Sequence, residues 1–237
     1  MYNLKWLLLS FMLMFLLTGC MYPAENLAQN KIPYQDQLDS VQNAVKKYQE
    51  DNNGILPIKT KDAETPIYQK YLVDFKKIVP SYISAVPGNA FENGGIFQYV
   101  LIDVETTPTV KLLDLRVADT IRDIKMRLQV NEYPPFKGQV SKNVFTLDFS
   151  KLGFSQDPVA VSPFTGGNLP YVISGDGEIY VDYRSDLYQK LREKDNNNLK
   201  HGDDIRSILT DDSMFVPAYS LPYTVDADNG EPIFLDY

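Results

Sequence analysis

The 237-residue chain has one cysteine, one histidine and one tryptophan, and each scarcity removes a class of chemistry. Cys20 has no second cysteine with which to close an internal disulfide. Zinc sites built from Cys and His are excluded by count. A Ser-His-Asp triad would have to use His201. No Gly-x-Ser-x-Gly elbow accompanies it, and its setting, Asn-Asn-Leu-Lys-His201-Gly-Asp-Asp, reads as a solvated polar loop. No glycine-rich loop opens a helix in the way a phosphate cradle requires, because Gly94-Gly95 and Gly166-Gly167 both precede strand-like runs. Positive charge is in short supply as well. The chain carries 23 Lys and Arg against 31 Asp and Glu, a formal net charge of −8. Such a surface repels phosphate polymers, and with no basic stripe to offset it nucleic acid is disfavoured as a partner. No cofactor and no metal site is expected.

Long apolar runs are also missing, with one exception. After Lys5 and Trp6 the chain is apolar from Leu7 to Leu17, broken only by Ser10. A basic residue followed by roughly 7–15 apolar residues and then small ones is a secretory signal. The run falls short of the roughly 20 residues that span a bilayer. It ends Leu17-Thr18-Gly19-Cys20, a lipobox pattern in which small residues admit a signal peptidase and the thiol takes a diacylglycerol. The expectation is a signal peptide over 1–19, with Leu17, Thr18 and Gly19 recognised by the peptidase and Cys20 lipidated. A diacylglyceryl group carries two acyl chains, and two suffice for stable anchoring where one does not. The folded body is then expected on the extracytoplasmic face of the plasma membrane. A Cys-based nucleophile is excluded by the same step. Residues 20–35 show no hydrophobic period and read as a tether, leaving 36–237 as the globular region.

Within that region the sequence repeats itself. Residues 169–183, Leu-Pro-Tyr-Val-Ile-Ser-Gly-Asp-Gly-Glu-Ile-Tyr-Val-Asp-Tyr, match residues 221–237, Leu-Pro-Tyr-Thr-Val-Asp-Ala-Asp-Asn-Gly-Glu-Pro-Ile-Phe-Leu-Asp-Tyr, with two residues inserted. Each reads as a β-hairpin, with Asp176-Gly177 and Asn229-Gly230 suited to two-residue type I′ turns. A weaker copy runs from Gln98–Ile102 to Val110–Leu115. The lead-ins Ala85-Val86-Pro87, Val161-Ser162-Pro163 and Phe215-Val216-Pro217 take equivalent places, as do Val73-Asp74-Phe75 and Leu147-Asp148-Phe149. Helical spacing precedes each copy: Leu38, Val41, Val45 and Tyr48; Val117, Ile121, Ile124 and Leu128; Leu187 and Leu191. The expected fold class is α+β, about three repeated units of helix plus antiparallel hairpin at roughly 34–115, 116–183 and 184–237. Helices would pack on antiparallel sheet, since no crossover helix links parallel strands.

Several acidic clusters invite a functional reading. Asp226-Ala-Asp228-Asn229-Gly230 begins like a calcium loop, but its Gly falls one position early and no Glu stands at the twelfth, so a turn explains it better. Asp203-Asp204 suits a helix start, where acids favour the dipole. Asp211-Asp212 is a further carboxylate pair. Asp114-Leu-Arg116 and Asp182-Tyr-Arg184 recur between strand and helix, as a strand-end ion pair or cap, or as a binding motif. Tyr82, Phe91, Phe164 and Tyr219 lie near turns, as core filling or as an aromatic binding face.

The leader, Ile58-Lys-Thr-Lys-Asp62, Phe97-Gln-Tyr-Val-Leu-Ile-Asp-Val-Glu-Thr106 and Ala160-Val-Ser-Pro-Phe-Thr-Gly166 together resemble the YphF-type lipoproteins of Bacillus-like bacteria, over nearly the whole chain. The resemblance implies a Gram-positive plasma-membrane lipoprotein facing outward; it brings no activity and no site residues. The first helix, Asn-Asn-Gly-Ile-Leu-Pro57 and the Gly-Gly before a strand are also similar to the soluble head of a pseudopilin, although the pilin N-terminus is missing. Three functions are compatible with these features. The favoured expectation is a non-catalytic envelope protein that binds another protein or a wall polymer. A solute-binding lipoprotein of a transporter is the first alternative. A carboxylate-dependent cell-wall hydrolase is the second, since any two acids could converge, though no pair stands out.

Overall fold

The computed structural model describes residues 34–131, 133–193 and 199–235, and the expected signal peptide, lipobox and tether up to Pro33 lie outside these residues. Helix α1, Tyr34–Asp51, buries Leu38, Val41, Ala44 and Val45 along one face. It stops where Asn53 and Gly54 both take positive φ, 53° and 85°, and Gly54 N–H returns to Gln49 O at 2.9 Å. A left-handed residue at this point satisfies helix carbonyls that would otherwise be orphaned. Two short helices follow, α2 (Ile67–Lys70) and α3 (Phe75–Ile78). The Asp74 carboxylate accepts from Lys76 N–H at the start of α3, and Phe75 and Ile78 turn inward.

Strands β1 (Phe97–Ile102) and β2 (Thr109–Asp114) form an antiparallel hairpin from Phe97↔Asp114 to Ile102↔Thr109. Residues 71–73 run beside β1, with Val73 N–H on Tyr99 O and Leu101 N–H on Tyr71 O. The Gln42 amide ties α1 to this hairpin: it donates to Pro108 O and accepts from Val110 N–H. Helix α4, Arg116–Gln129, places Val117, Ile121 and Ile124 inward. A five-stranded antiparallel sheet comes next, formed by β3 (Phe136–Ser141), β4 (Val144–Leu147), β5 (Val159–Val161), β6 (Asn168–Ser174) and β7 (Ile179–Val181). Its order is β3-β4-β6-β5, with β7 also on β6. A 3-10 turn at Phe149–Leu152 follows Asp148, much as α3 follows Asp74. Helices α5 (Arg184–Glu193) and α6 (Ser207–Thr210) precede the last hairpin, β8 (Tyr223–Val225) with β9 (Pro232–Phe234). The architecture is α+β with antiparallel sheets.

Both tight turns depart from the two-residue type expected. In the first, Ser174 N–H bonds Glu178 O across a three-residue loop. Gly177 takes positive φ there and Asp176 does not, so the glycine serves a bulge rather than a I′ turn. In the second, Asp226 N–H bonds Glu231 O across four residues, and Gly230 takes the positive φ without Asn229.

The C-terminal third reaches back across the other two. Residues 214–216 run along the outer edge of β2, with Leu112 N–H on Met214 O and Val216 N–H on Leu112 O. A few residues later Val181 N–H of β7 bonds Tyr219 O. Val216 and Ala218 thereby pack with Leu72, Val100, Ile102 and Leu113 in a small cluster. That cluster lies beside the core of the first region and the larger core built by residues 117–234.

Candidate functional site

Three Asp-x-Arg triplets take the same conformation. In Asp114–Arg116 the carboxylate accepts from Arg116 N–H at 3.0 Å, from Nε at 3.0 Å and from Nη2 at 2.5 Å. In Asp182–Arg184 the same bonds measure 3.0, 3.0 and 2.6 Å. In Asp204–Arg206 they measure 3.1, 3.1 and 2.6 Å. One carboxylate therefore holds a helix-start N–H and a guanidinium fork together, and charge-assisted bidentate bonds of this kind are stronger than neutral ones. The first two triplets recur in the sequence between strand and helix; the third sits ahead of a four-residue helix and becomes visible in three dimensions. Asp204 thus does serve a helix start, but through Arg206, which also donates to Ser220 O and Oγ at 3.1 Å and lies over the Tyr68 ring. Burial pushes the Tyr68 phenol up to about 12, although Arg206 pulls the other way.

A second carboxylate centre is internal. Asp186, on the first turn of α5, is 1% exposed. Its two oxygens accept from Ser162 Oγ and Thr165 Oγ1, each at 2.7 Å. Ser162 Oγ in turn receives Phe164 N–H and Thr165 N–H at 3.0 Å. The segment Ser162-Pro-Phe-Thr165 is therefore a turn folded over a buried acid. Burial raises the Asp186 pKa, opposed by the two hydroxyl bonds. Both Asp186 oxygens are occupied by the hydroxyls of this turn, so the arrangement fixes a loop.

A concavity with a cationic wall lies between the β3–β4 turn, the start of α5, the loop at His201 and the last hairpin. It is a cavity of about 470 Å³ lined by Val140, Ser141, Lys142, Arg184, His201, Thr224, Ile233, Phe234 and Leu235. None of these lining residues is acidic. Arg184 is held by Asp182 on one side and lies 4.8 Å from the Phe234 ring centroid on the other. His201 Nδ1 stands 2.9 Å from Val225 O; a carbonyl there requires the proton on Nδ1 and leaves Nε2 as the free nitrogen. His201 is exposed, as its polar setting predicts, but it forms part of a wall. No sequence pattern joins Lys142, Arg184 and His201, which come from three separate elements; the one local signal was Asp182-Tyr-Arg184.

A second cleft of about 500 Å³ runs between α1, β2 and residues 211–214, with Asp39, Asp211, Asp212 and Lys111 in its wall. Lys111 Nζ donates to Thr210 O at 2.8 Å and Ser213 O at 2.5 Å, which satisfies the end of α6. Burial lowers the Lys111 pKa, against the pull of the nearby acids. Asp226 receives Asp228 N–H and Asn229 N–H, a turn-stabilising use. Among the described residues no group of three or more His, Cys, Asp or Glu is placed to hold a metal ion, and no helix is long and apolar enough to cross a membrane. Of the four turn aromatics, Phe164 stacks on Tyr183, and Tyr82 and Tyr219 pack against the apolar clusters. Phe91 is exposed, so of the two readings open to it core filling does not hold. Cys20 and the lipobox residues Leu17, Thr18 and Gly19 lie outside the described residues.

These features define an α+β protein in which Asp114, Asp182, Asp186 and Asp204 are tied into the framework, beside a cavity walled by Lys142, Arg184 and His201. Residues 34–114, about a third of the chain, match the family model for the YphF family N-terminal domain. The match begins at the first residue of α1 and ends at the last residue of β2. No curated protein matches the chain, and no solved structure matches it.

Proposed function

We propose that the chain is a lipid-anchored lipoprotein on the extracytoplasmic face of the plasma membrane of a Bacillus-like bacterium, acting by binding an envelope component and not by catalysis. Leu17-Thr18-Gly19-Cys20 supplies the anchor, and the tether read at 20–35 holds the body off the membrane. The observation that carries the binding reading is how the polar side chains are used. Asp114, Asp182 and Asp204 are held by arginines and Asp186 by two hydroxyls, so the buried acids among the described residues serve the fold. The body is read as three copies of one unit, each running long helix, short Asp-opened helix and hairpin. Tyr99, Tyr171 and Tyr223 stand at matching places in the three hairpins, all at most 2% exposed. A solute-binding role for a transporter is the second reading, favoured by the size of the cationic cavity.

The anchor is tested by Cys20→Ser, which is expected to move the protein from the membrane fraction to the soluble fraction. Unchanged membrane retention would refute it. Clearing of peptidoglycan in a zymogram by the purified protein would overturn the non-catalytic reading.

A further inference from the structure

We infer that the cavity bounded by Lys142, Arg184 and His201 binds a small organic anion, a carboxylate or phosphate carried on an apolar body. This rests on the binding reading above and is independent of the lipid anchor.

The charge distribution is the first support. The chain is acidic, at −8, yet Lys142, Arg184 and His201 meet around one cavity with no acid among its described lining residues. Arg184 already has its counter-charge in Asp182, so the charge left uncompensated at this wall is that of Lys142, which a bound anion would offset. Lys142 sits at the β3–β4 turn and makes no ion pair with any described residue, although acids outnumber bases in the chain. Arg184 is spoken for only in part. Its Nε and Nη2 serve Asp182, which leaves Nη1 without a bond to any described residue. The Asp182 fork and the Phe234 ring hold the guanidinium in place before a ligand arrives, so little side-chain entropy remains to be lost on binding. His201 is oriented by Val225 O, which leaves Nε2 facing the ligand, where its protonated form donates to an anionic oxygen.

The wall supplies the other half of the specificity. Val140, Ile233 and Phe234 give the same cavity an apolar side, and its volume of about 470 Å³ falls within the roughly 300–1,000 Å³ of small-molecule sites. A bare inorganic ion would leave that side unused. An anion attached to an aromatic or aliphatic body uses both.

The test titrates the full chain by calorimetry with benzoate, phenyl phosphate, neutral benzamide and cationic benzylamine. The protein is used in the form that fractionation returns, in phosphatidylcholine nanodiscs with empty nanodiscs as reference, or free in buffer. Saturable one-to-one binding of benzoate or phenyl phosphate is expected in the millimolar range or tighter, and the stronger of the two identifies the anion as carboxylate or phosphate. Benzamide is expected about tenfold weaker or worse. Lys142→Ala and His201→Ala, both exposed positions whose folding is checked by thermal melting, are each expected to weaken the anion about three- to tenfold. Added salt is expected to weaken it further. Equal binding of benzamide or benzylamine, wild-type affinity in both variants, or no saturable binding of either anion would overturn the inference. Membrane release in Cys20→Ser bears on the anchor alone, so the two failures are distinguishable.

Discussion

The first and second hairpins end on the same device in different company. Asp114 and Asp182 are both buried, their side chains 8% and 5% exposed, and both grip an arginine two residues on. Arg116 is 59% exposed and faces a small cleft of about 120 Å³ beside Val159, Val161 and Tyr171. Arg184 is 35% exposed, lies on the Phe234 ring and lines the large cavity. The fork is thus architecture, joining the end of a hairpin to the start of a helix. What separates the two places is the C-terminal hairpin, which covers the second fork and leaves the first open to water.

The largest predicted effect follows from that cover. Asp182→Ala removes the cap on Arg184 N–H and leaves a partly covered guanidinium without its carboxylate. A loss of about 3 kcal/mol is expected, the low end for breaking a buried pair because Arg184 remains partly exposed. Asp114→Ala removes the same bonds but leaves Arg116 free to swing into solvent, so about 1.5 kcal/mol is expected, mostly the cap. Urea unfolding of both variants measures the gap. Equal losses would mean that the covering hairpin contributes nothing at this point.

A smaller effect separates the paired glycines. Gly94-Gly95 and Gly166-Gly167 look equivalent in sequence, but their surroundings differ. A Cβ on Gly95 would fall 2.1 Å from the backbone of Asn89, whereas one on Gly167 would meet only Thr165 Oγ1 at 3.3 Å. Gly95→Ala must displace main chain that carries the Phe97 N–H to Asn89 O bond, and about 2 kcal/mol is expected. Gly167→Ala asks a short side chain to give by a few tenths of an ångström, with an expected change within about 0.5 kcal/mol. Thermal melts of the pair decide it; a Gly167→Ala cost as large as that of Gly95→Ala would make the two loops equivalent after all.

Much of this was legible from local pattern. The helices at Tyr34–Asp51, Arg116–Gln129 and Arg184–Glu193 lie where apolar residues recur at three and four, and all three hairpins lie where β-branched runs flank turn residues. The turn types were not, because Asp-Gly and Asn-Gly suit a I′ turn and a bulged or longer loop alike. The register of the flanking strands then selects the loop. The pairing of residues 214–216 with β2 had no signal either: a parallel contact a hundred residues away in the chain leaves no local period. The cationic cavity was illegible for the same reason. Lys142, Arg184 and His201 each look like ordinary surface residues, and only the folding of β3–β4 toward the last hairpin brings them to one wall. The leader and Cys20 are the reverse case, a strong linear signal that lies outside the described residues.

The finest contrast between the two regions is a buried acid. Counting four residues on from the fork aspartates gives Asp186 in α5 and Ala118 in α4, so the second region has an acid at this place and the first has none. Burial raises the folded pKa of Asp186 above its usual 3.8, with the Thr165 and Ser162 bonds pulling it back. A raised carboxyl pKa means that the fold prefers the neutral form. Its contribution to stability is full below the unfolded pKa and is lost as pH rises through the folded one. Asp186→Asn cannot ionise and should not lose it. Comparing urea midpoints of wild type and variant at pH 4, 5, 6 and 7, the wild-type advantage is expected to shrink with rising pH. An advantage that grows instead would mean that the two hydroxyl donors outweigh burial and that the loop is clamped by a carboxylate the fold prefers charged.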